Sequence, residues 1–163
     1  LPIFYQLHRI DPKVPIEEQV GAMIDLQKAG KIRHIGASNV TPGQLAIFRQ
    51  MTPVVSVQGQ YNVRDRMSEE VLKVCERDGL AFLPWFPLSN GELIRPGGPL
   101  EGLATRIGFT PAQLALAWLL KRSKSIVVFP GTPLRRELEE NFLASKIELA
   151  CDVYDEMTAM GRP

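Results

Sequence analysis

A parallel α/β fold is predicted by three features of this chain. Short apolar runs alternate five times with helical stretches. The runs are apolar on both faces, as strands are when helices cover a sheet on either side. The connections are mostly short and carry Thr-Pro, Gly or Ser signals at the helix ends, which gives right-handed βαβ crossovers.

The first run, residues 3–9, reads as a buried strand. Asp11-Pro12 and Val14-Pro15 break it, and Pro15 fits the first position of a helix with Glu17 and Glu18 in its first turn. Ile16, Val20, Met23, Ile24 and Gln27 recur at helical spacing until Gly30 stops the helix. A second strand covers residues 32–37. Thr41-Pro42 opens the next helix, along which Leu45, Phe48 and Arg49 follow at helical spacing. Residues 54–58 form strand three. Ser68 is the expected cap of a helix that Gly79 ends, and residues 80–85 form strand four. A Gly/Pro-rich stretch over 87–99 is too long for a plain connector and is a candidate functional loop. Thr110-Pro111 caps a helix that is apolar nearly all round, as a helix buried on most sides should be. Strand five covers 126–129, the turn Pro130-Gly131-Thr132-Pro133 leads into a helix with Leu134, Leu138 and Phe142 at four-residue steps, and a last helix covers about 152–160.

Two architectures fit this order: an open doubly wound sheet or part of a (β/α)8 barrel. No strand-helix turn carries the dinucleotide glycine fingerprint, which weakens the first. A whole (β/α)8 barrel needs about 250 residues, and five units make about five-eighths of one. The start Leu1-Pro2-Ile3-Phe4-Tyr5 enters a strand with no polar lead-in. The chain therefore reads as a single domain, 1–163, of incomplete TIM-barrel type, cut from something longer. Its open edges make self-association an expectation.

The 163 residues carry a net charge of +1, which gives no case for nucleic acid or an anionic membrane as partner. No apolar run approaches a membrane span and no signal peptide is visible. Cys75 and Cys151 lack metal or redox spacing, so no metal is expected; Cys75 reads as a reduced core thiol, in keeping with a cytoplasmic protein.

In βα-repeat folds ligands bind at the C-terminal tips of the strands. The tips here offer His8, Ser38-Asn39, Gln58, Trp85 and Gly131-Thr132. On spacing alone His8 reads first as a core group, while core packing is the alternative for Trp85 and a self-bonded turn the alternative for Ser38-Asn39. His34 reads as structural, and Lys121, Arg122 and Lys124 as complements to a helix dipole. Glu139-Glu140-Asn141 fits a solvated helix face. Arg135-Arg136 opposes the dipole at the start of that helix, so a bound anion would account for it. Amide-binding groups, an aromatic plate and an anion corner together suit a dinucleotide with a carboxamide ring and a ribose phosphate.

At this point the chain resembles the aldo-keto reductases. The resemblance is carried by Tyr5-Gln6-Leu7-His8-Arg9-Ile10-Asp11, by Gly30-Lys31-Ile32-Arg33-His34-Ile35-Gly36-Ala37-Ser38-Asn39, by Val57-Gln58-Gly59-Gln60-Tyr61-Asn62 and by Leu83-Pro84-Trp85-Phe86-Pro87-Leu88. It continues through Thr110-Pro111-Ala112-Gln113-Leu114 and its apolar helix to Pro130-Gly131-Thr132 and Leu138-Glu139-Glu140-Asn141. The strands would then be numbers four to eight of the family's barrel. The resemblance implies an oxidoreductase that reduces an aldehyde or ketone to an alcohol by direct hydride transfer from NADPH, without metal or flavin. By the same resemblance His8 orients the small-molecule carbonyl substrate, and Ser38, Asn39 and Gln58 hold the nicotinamide carboxamide. Trp85 stacks on the ring, and the segment Phe86, Pro87, Leu88, Asn90 and Gly91 lies against the pyrophosphate. Gly131 and Thr132 are near the 2′-phosphate, and Glu140 and Asn141 contact the adenine.

The chain departs from the family pattern in three places. Phe86 stands where many relatives have a serine. Pro133 stands where relatives often place a base, with Arg135 or Arg136 as the substitute, so NADH stays open as an alternative to NADPH. The family's catalytic Asp, Tyr and Lys come from its first three strands, which this chain does not match. The alternative class is a non-catalytic NADP(H)-binding relative, acting as a sensor or partner subunit; a phosphate-handling barrel enzyme using the Gly131 corner is a third reading.

Overall fold

The computed structural model describes residues 3–161. They fall into two compact units. The first holds the described residues of Leu1–Gly59 together with Ser68–Leu83, and the second holds Gln60–Met67 and the described residues of Pro84–Pro163.

The first unit is built on a sheet in the order β1 (Phe4–Leu7), β2 (His34–Ser38), β3 (Val54–Gln60) and β4 (Ala81–Trp85). β1 pairs β2, and β2 pairs β3, in parallel. Between them run α1 (Ile16–Lys28), α2 (Pro42–Met51) and α3 (Glu69–Asp78), with α1 against α2 and α2 against α3. Val20, Ile35, Leu45, Phe48, Val57 and Leu72 are fully buried in it. The helix ends follow the sequence signals. Thr41 and Gln44 exchange side-chain and backbone hydrogen bonds in a capping box at α2, with Pro42 at the first helical position. α1 starts one residue later than expected, because Pro15 takes the cap position itself with an extended ψ of 136°. At its other end Gly30, at φ +70°, lets the N–H of Lys31 reach the carbonyl of Leu26 and its own N–H reach that of Gln27. Ser68 takes the cap position of α3, as expected, and its carbonyl accepts from the N–H of Leu72, but its side chain makes no capping hydrogen bond. Its side chain lies over Gly59, where an added Cβ would stand 2.5 Å from its Oγ.

Arg49 of α2 and Arg77 of α3 both ion-pair with Asp78, and the hydrogen bond from Arg77 is the main reason that this carboxyl stays ionised well below the usual carboxylate range. The contribution of these pairs is present above the ordinary carboxylate pKa and is lost as pH falls through the lowered one. Cys75 is fully buried in α3, and burial pushes its thiol up to about 12. Cys151 is exposed. A thiol reagent at pH 8 is therefore expected to label one cysteine of the folded chain and both after denaturation, counted by absorbance or mass. Labelling of both in the folded protein would contradict the burial of Cys75.

The second unit is helical: α4 (Glu101–Ile107), α5 (Pro111–Arg122), α6 (Arg135–Leu143) and α7 (Cys151–Ala159), with 3-10 turns at Ser89–Gly91 and Ala144–Lys146. α5 is its axis. Thr110 and Gln113 form a second capping box, and Ala112 through Leu119 are buried but for Gln113, as the all-round apolar sequence requires. Trp118 is the centre. Its ring stacks on Tyr61 and on Tyr154, each at 6.0 Å, its Nε1 donates to Thr158 Oγ1 at 3.0 Å, and the Arg66 guanidinium lies 3.9 Å above it. Lys121 at the end of α5 donates to the carbonyl of Leu149 at 2.5 Å, a carbonyl outside its own helix.

Three expectations are corrected. The first strand is not buried: Phe4 and Tyr5 of β1 are 59% and 47% exposed. The fifth strand does not form: 126–129 contains a single bridge residue, Ile126, followed by irregular backbone. A β-branched run becomes a strand only where a ladder partner lies alongside it, and Val127 is 52% exposed. The described residues thus hold four strands rather than five. The stretch after residue 99, for which no element is predicted, contains α4, whose seven residues are too few to display a helical period.

Candidate active site

In the first unit the strand tips carry the polar residues. The register aligns Gln6 with Gly36 and Gly36 with Ser56, and two residues on, Ser38 with Gln58. A slip in β3 creates this row: Ile35 pairs Val54, but Gly36 pairs Ser56. Without that one-residue shift Ser38 would face Val57, because side chains alternate with period two. Below the tip, Gln6 Nε2 donates to Ser56 Oγ at 3.0 Å. That bond lies across Gly36, where a Cβ would sit 2.7 Å from Gln6 Cγ and 2.8 Å from Ser56 Oγ. Glycine is the one residue that leaves this room.

Asn39 joins the tips. Its backbone, at φ +55°, is in the left-handed region that asparagine tolerates best after glycine. Its N–H donates to the carbonyl of Gln58 at 2.9 Å, and its Nδ2 donates to the carbonyl of His8 at 2.9 Å and to Ser38 Oγ at 3.0 Å. His8 lies just past the end of β1 and is exposed, and Ser38 is buried. His8, Ser38, Asn39 and Gln58 are thus brought together as expected, with Asn39 also serving as the tie between three strand ends.

In the second unit, which takes in Pro84 and Trp85 at the end of β4, a cleft of about 540 Å³ is lined by Trp85, Phe86, Pro87, Leu88, Asn90, Gly91 and Ile94 and by Phe129, Pro130 and Gly131. This volume suits a small-molecule ligand. The loop that forms its first wall is sharply folded. Phe86, Ser89 and Asn90 have φ between 52° and 56°. For a residue as bulky as Phe86 this costs on the order of 1–2 kcal/mol. Asn62, which is buried, holds the turn by donating from Nδ2 to the carbonyl of Phe86 at 3.0 Å, while its Oδ1 accepts from the N–H groups of Arg64 and Asp65. The Trp85 and Phe86 rings meet edge-on at 4.7 Å. Sequence reasoning gave no role to Asn62, Ile94 or Phe129, although Asn62 stands in a quoted motif. Ile94 is hidden in an irregular loop, and Phe129 looks like an ordinary strand residue.

The remaining candidates lie on or beside α6. Thr132 accepts from the N–H of Leu134 at 3.1 Å and donates to Glu137. Arg135 pairs with Glu139 at 2.8 Å. Arg136 is exposed. Glu140 is not a free solvated carboxylate: it accepts from the Thr110 hydroxyl at 2.6 Å, and its carbonyl accepts from Gln113, so it buttresses the α5 cap. Asn141 lines a second, apolar cleft of about 370 Å³ with Leu138, Phe142 and Phe129. Thr132, Arg136, Glu140 and Asn141 therefore do not line the Trp85 cleft, which ends at Gly131. Among the described residues no three His, Cys, Asp or Glu side chains gather where they could hold a metal ion, and no helix is long and apolar enough to cross a membrane.

Residues 4–162 match the model of the aldo/keto reductase family. The chain belongs to the aldo-keto reductases. It is 41% identical over 158 residues to an uncharacterized oxidoreductase of Schizosaccharomyces pombe, covering 97% of this chain and 52% of that protein. It is 37% identical over 147 residues to pyridoxine 4-dehydrogenase of Escherichia coli, covering 90% of this chain and 51% of that protein. Its fold is that of a thermostable aldo-keto reductase solved with the inhibitor epalrestat, at TM-score 0.88 and 30% identity over 98% of this chain and 60% of that one. An aldo-keto reductase from Klebsiella pneumoniae solved with NADPH follows at TM-score 0.84 and 26% identity, covering 96% of this chain and 57% of that one. The aldo-keto reductase sequence described here thus spans about half the length of the curated relatives it matches and a part of the family's (β/α)8 barrel.

Proposed function

We propose that this chain is the cofactor-holding part of an NADPH-dependent aldo-keto reductase that converts a small aldehyde or ketone to its alcohol. The observation that carries the reading is the neutral row at the strand tips: Ser38 in register with Gln58, joined to His8 through Asn39. A carboxamide needs both donors and acceptors, and hydroxyl and amide side chains supply both. When bound, the reduced nicotinamide supplies the hydride. The residues of the chain do the rest. Ser38, Asn39 and Gln58 hold the carboxamide, with Asn39 fixing the other two in place. Trp85 provides the flat wall for the ring, and Phe86 to Gly91 with Gly131 form the cleft for the dinucleotide's middle. Thr132 and Arg136 take the ribose phosphate end, and Glu140 and Asn141 the adenine end. His8 donates a hydrogen bond to the substrate carbonyl and orients it. The family's proton donor is expected on a segment outside the sequence described here, and a positioned general acid of that kind contributes roughly 10²–10⁴-fold. We read the chain as one partial barrel domain of a cytoplasmic protein, with a carbonyl compound as its small-molecule partner.

Intrinsic fluorescence tests the cofactor site, because Trp85 is one of two tryptophans. NADPH is expected to quench it saturably, and Gln58→Ala to weaken binding about five- to tenfold, the worth of one net hydrogen bond. Absence of saturable quenching in the full-length protein would overturn the proposal.

A further inference from the structure

We infer that Glu137 narrows the preference for the phosphorylated cofactor and lets NADH compete with NADPH. The inference rests on the reading above, in which the Gly131-Thr132 turn lies at the ribose phosphate end. The start of α6 is the place where a 2′-phosphate would find free helix N–H groups and a positive dipole end. Here one N–H at that end, that of Leu134, is already taken by the chain itself. Thr132 accepts from the Leu134 N–H and donates to the carboxylate of Glu137, in the first turn of the helix. A phosphate arriving at Thr132 therefore meets a fixed negative charge, whereas a ribose 2′-hydroxyl can donate to that same carboxylate, the interaction by which acidic side chains recognise NAD in dinucleotide folds. The cations of this turn do not cancel it. Arg135 is engaged by Glu139 at 2.8 Å, and Pro133 carries no charge. Arg136 is exposed beside the turn, and Arg135 is exposed but paired with Glu139, so a phosphate is discouraged rather than excluded. A carboxylate and a guanidinium at the same corner give a site that accepts either cofactor.

The test is a pair of fluorescence titrations, NADPH and NADH, on the full-length protein and on Glu137→Gln and Glu137→Lys. The wild type is expected to bind the two cofactors within about tenfold of each other. Each unit of charge removed at position 137 should strengthen NADPH binding on the order of tenfold at low salt, leave NADH nearly unchanged, and lose effect as salt screens it. A wild type that prefers NADPH more than about 100-fold, or variants that shift both cofactors equally, would overturn the inference while leaving the cofactor site standing. Binding of neither cofactor by the wild type would overturn the site itself, and the inference with it.

Discussion

Trp118→Ala is expected to destabilise the protein by about 3–5 kcal/mol, the range for removing a large aromatic from a closed core. The side chain is fully buried, and four neighbours depend on it. Tyr61 and Tyr154 each stack on it, Arg66 covers it at 3.9 Å, and Thr158 accepts from its Nε1. Truncation leaves a cavity and removes the donor that holds the Thr158 hydroxyl, which in turn donates to the carbonyl of Tyr154 within α7. The arrangement ties α7 and the 60–67 loop to α5, so the loss should appear as cooperative unfolding rather than local fraying. Urea denaturation followed by circular dichroism measures it. A loss below about 1 kcal/mol, the size of an ordinary surface change, would mean that the stack is not the core of the second unit.

His8→Ala is expected to lower kcat for carbonyl reduction in the full-length enzyme by roughly 10²–10³, the usual effect of deleting one hydrogen-bond donor to a reacting oxygen. His8 is exposed, and only its backbone carbonyl is held, by Asn39. Removing the imidazole therefore leaves the tie between the strand tips intact, and cofactor affinity and unfolding midpoint should stay as in the wild type. A proportional loss of cofactor binding, or no loss of kcat, would remove His8 from the reacting centre.

The sequence was most legible where one residue decides a local geometry. Thr41-Pro42 and Thr110-Pro111 announce capping boxes because hydroxyl and proline each satisfy a particular helix-end need, and Gly30 announces a left-handed stop. The four formed strands appear within a few residues of their expected bounds, with Ser38 and Gln58 inside the second and third and His8 just past the first. The failures have a different cause. Whether 126–129 becomes a strand depends on a neighbour distant in sequence. The slip in β3 that sets Ser38 against Gln58 is a property of pairing, not of either strand alone. Glu140 looks like a solvated carboxylate until Thr110, thirty residues away, donates to it. Family resemblance gives His8 and Trp85 definite expected roles. Spacing alone reads His8 first as a core group and keeps core packing as the alternative for Trp85.

The most direct measurement is a crystal structure of the full-length protein grown with NADP+. The nicotinamide ring is expected on the face of Trp85, with its carboxamide within hydrogen-bond distance of Ser38 and Gln58. A cofactor that touches the Trp85 cleft but none of His8, Ser38, Asn39 or Gln58, or that binds at neither, would contradict the assignment of these residues to one site.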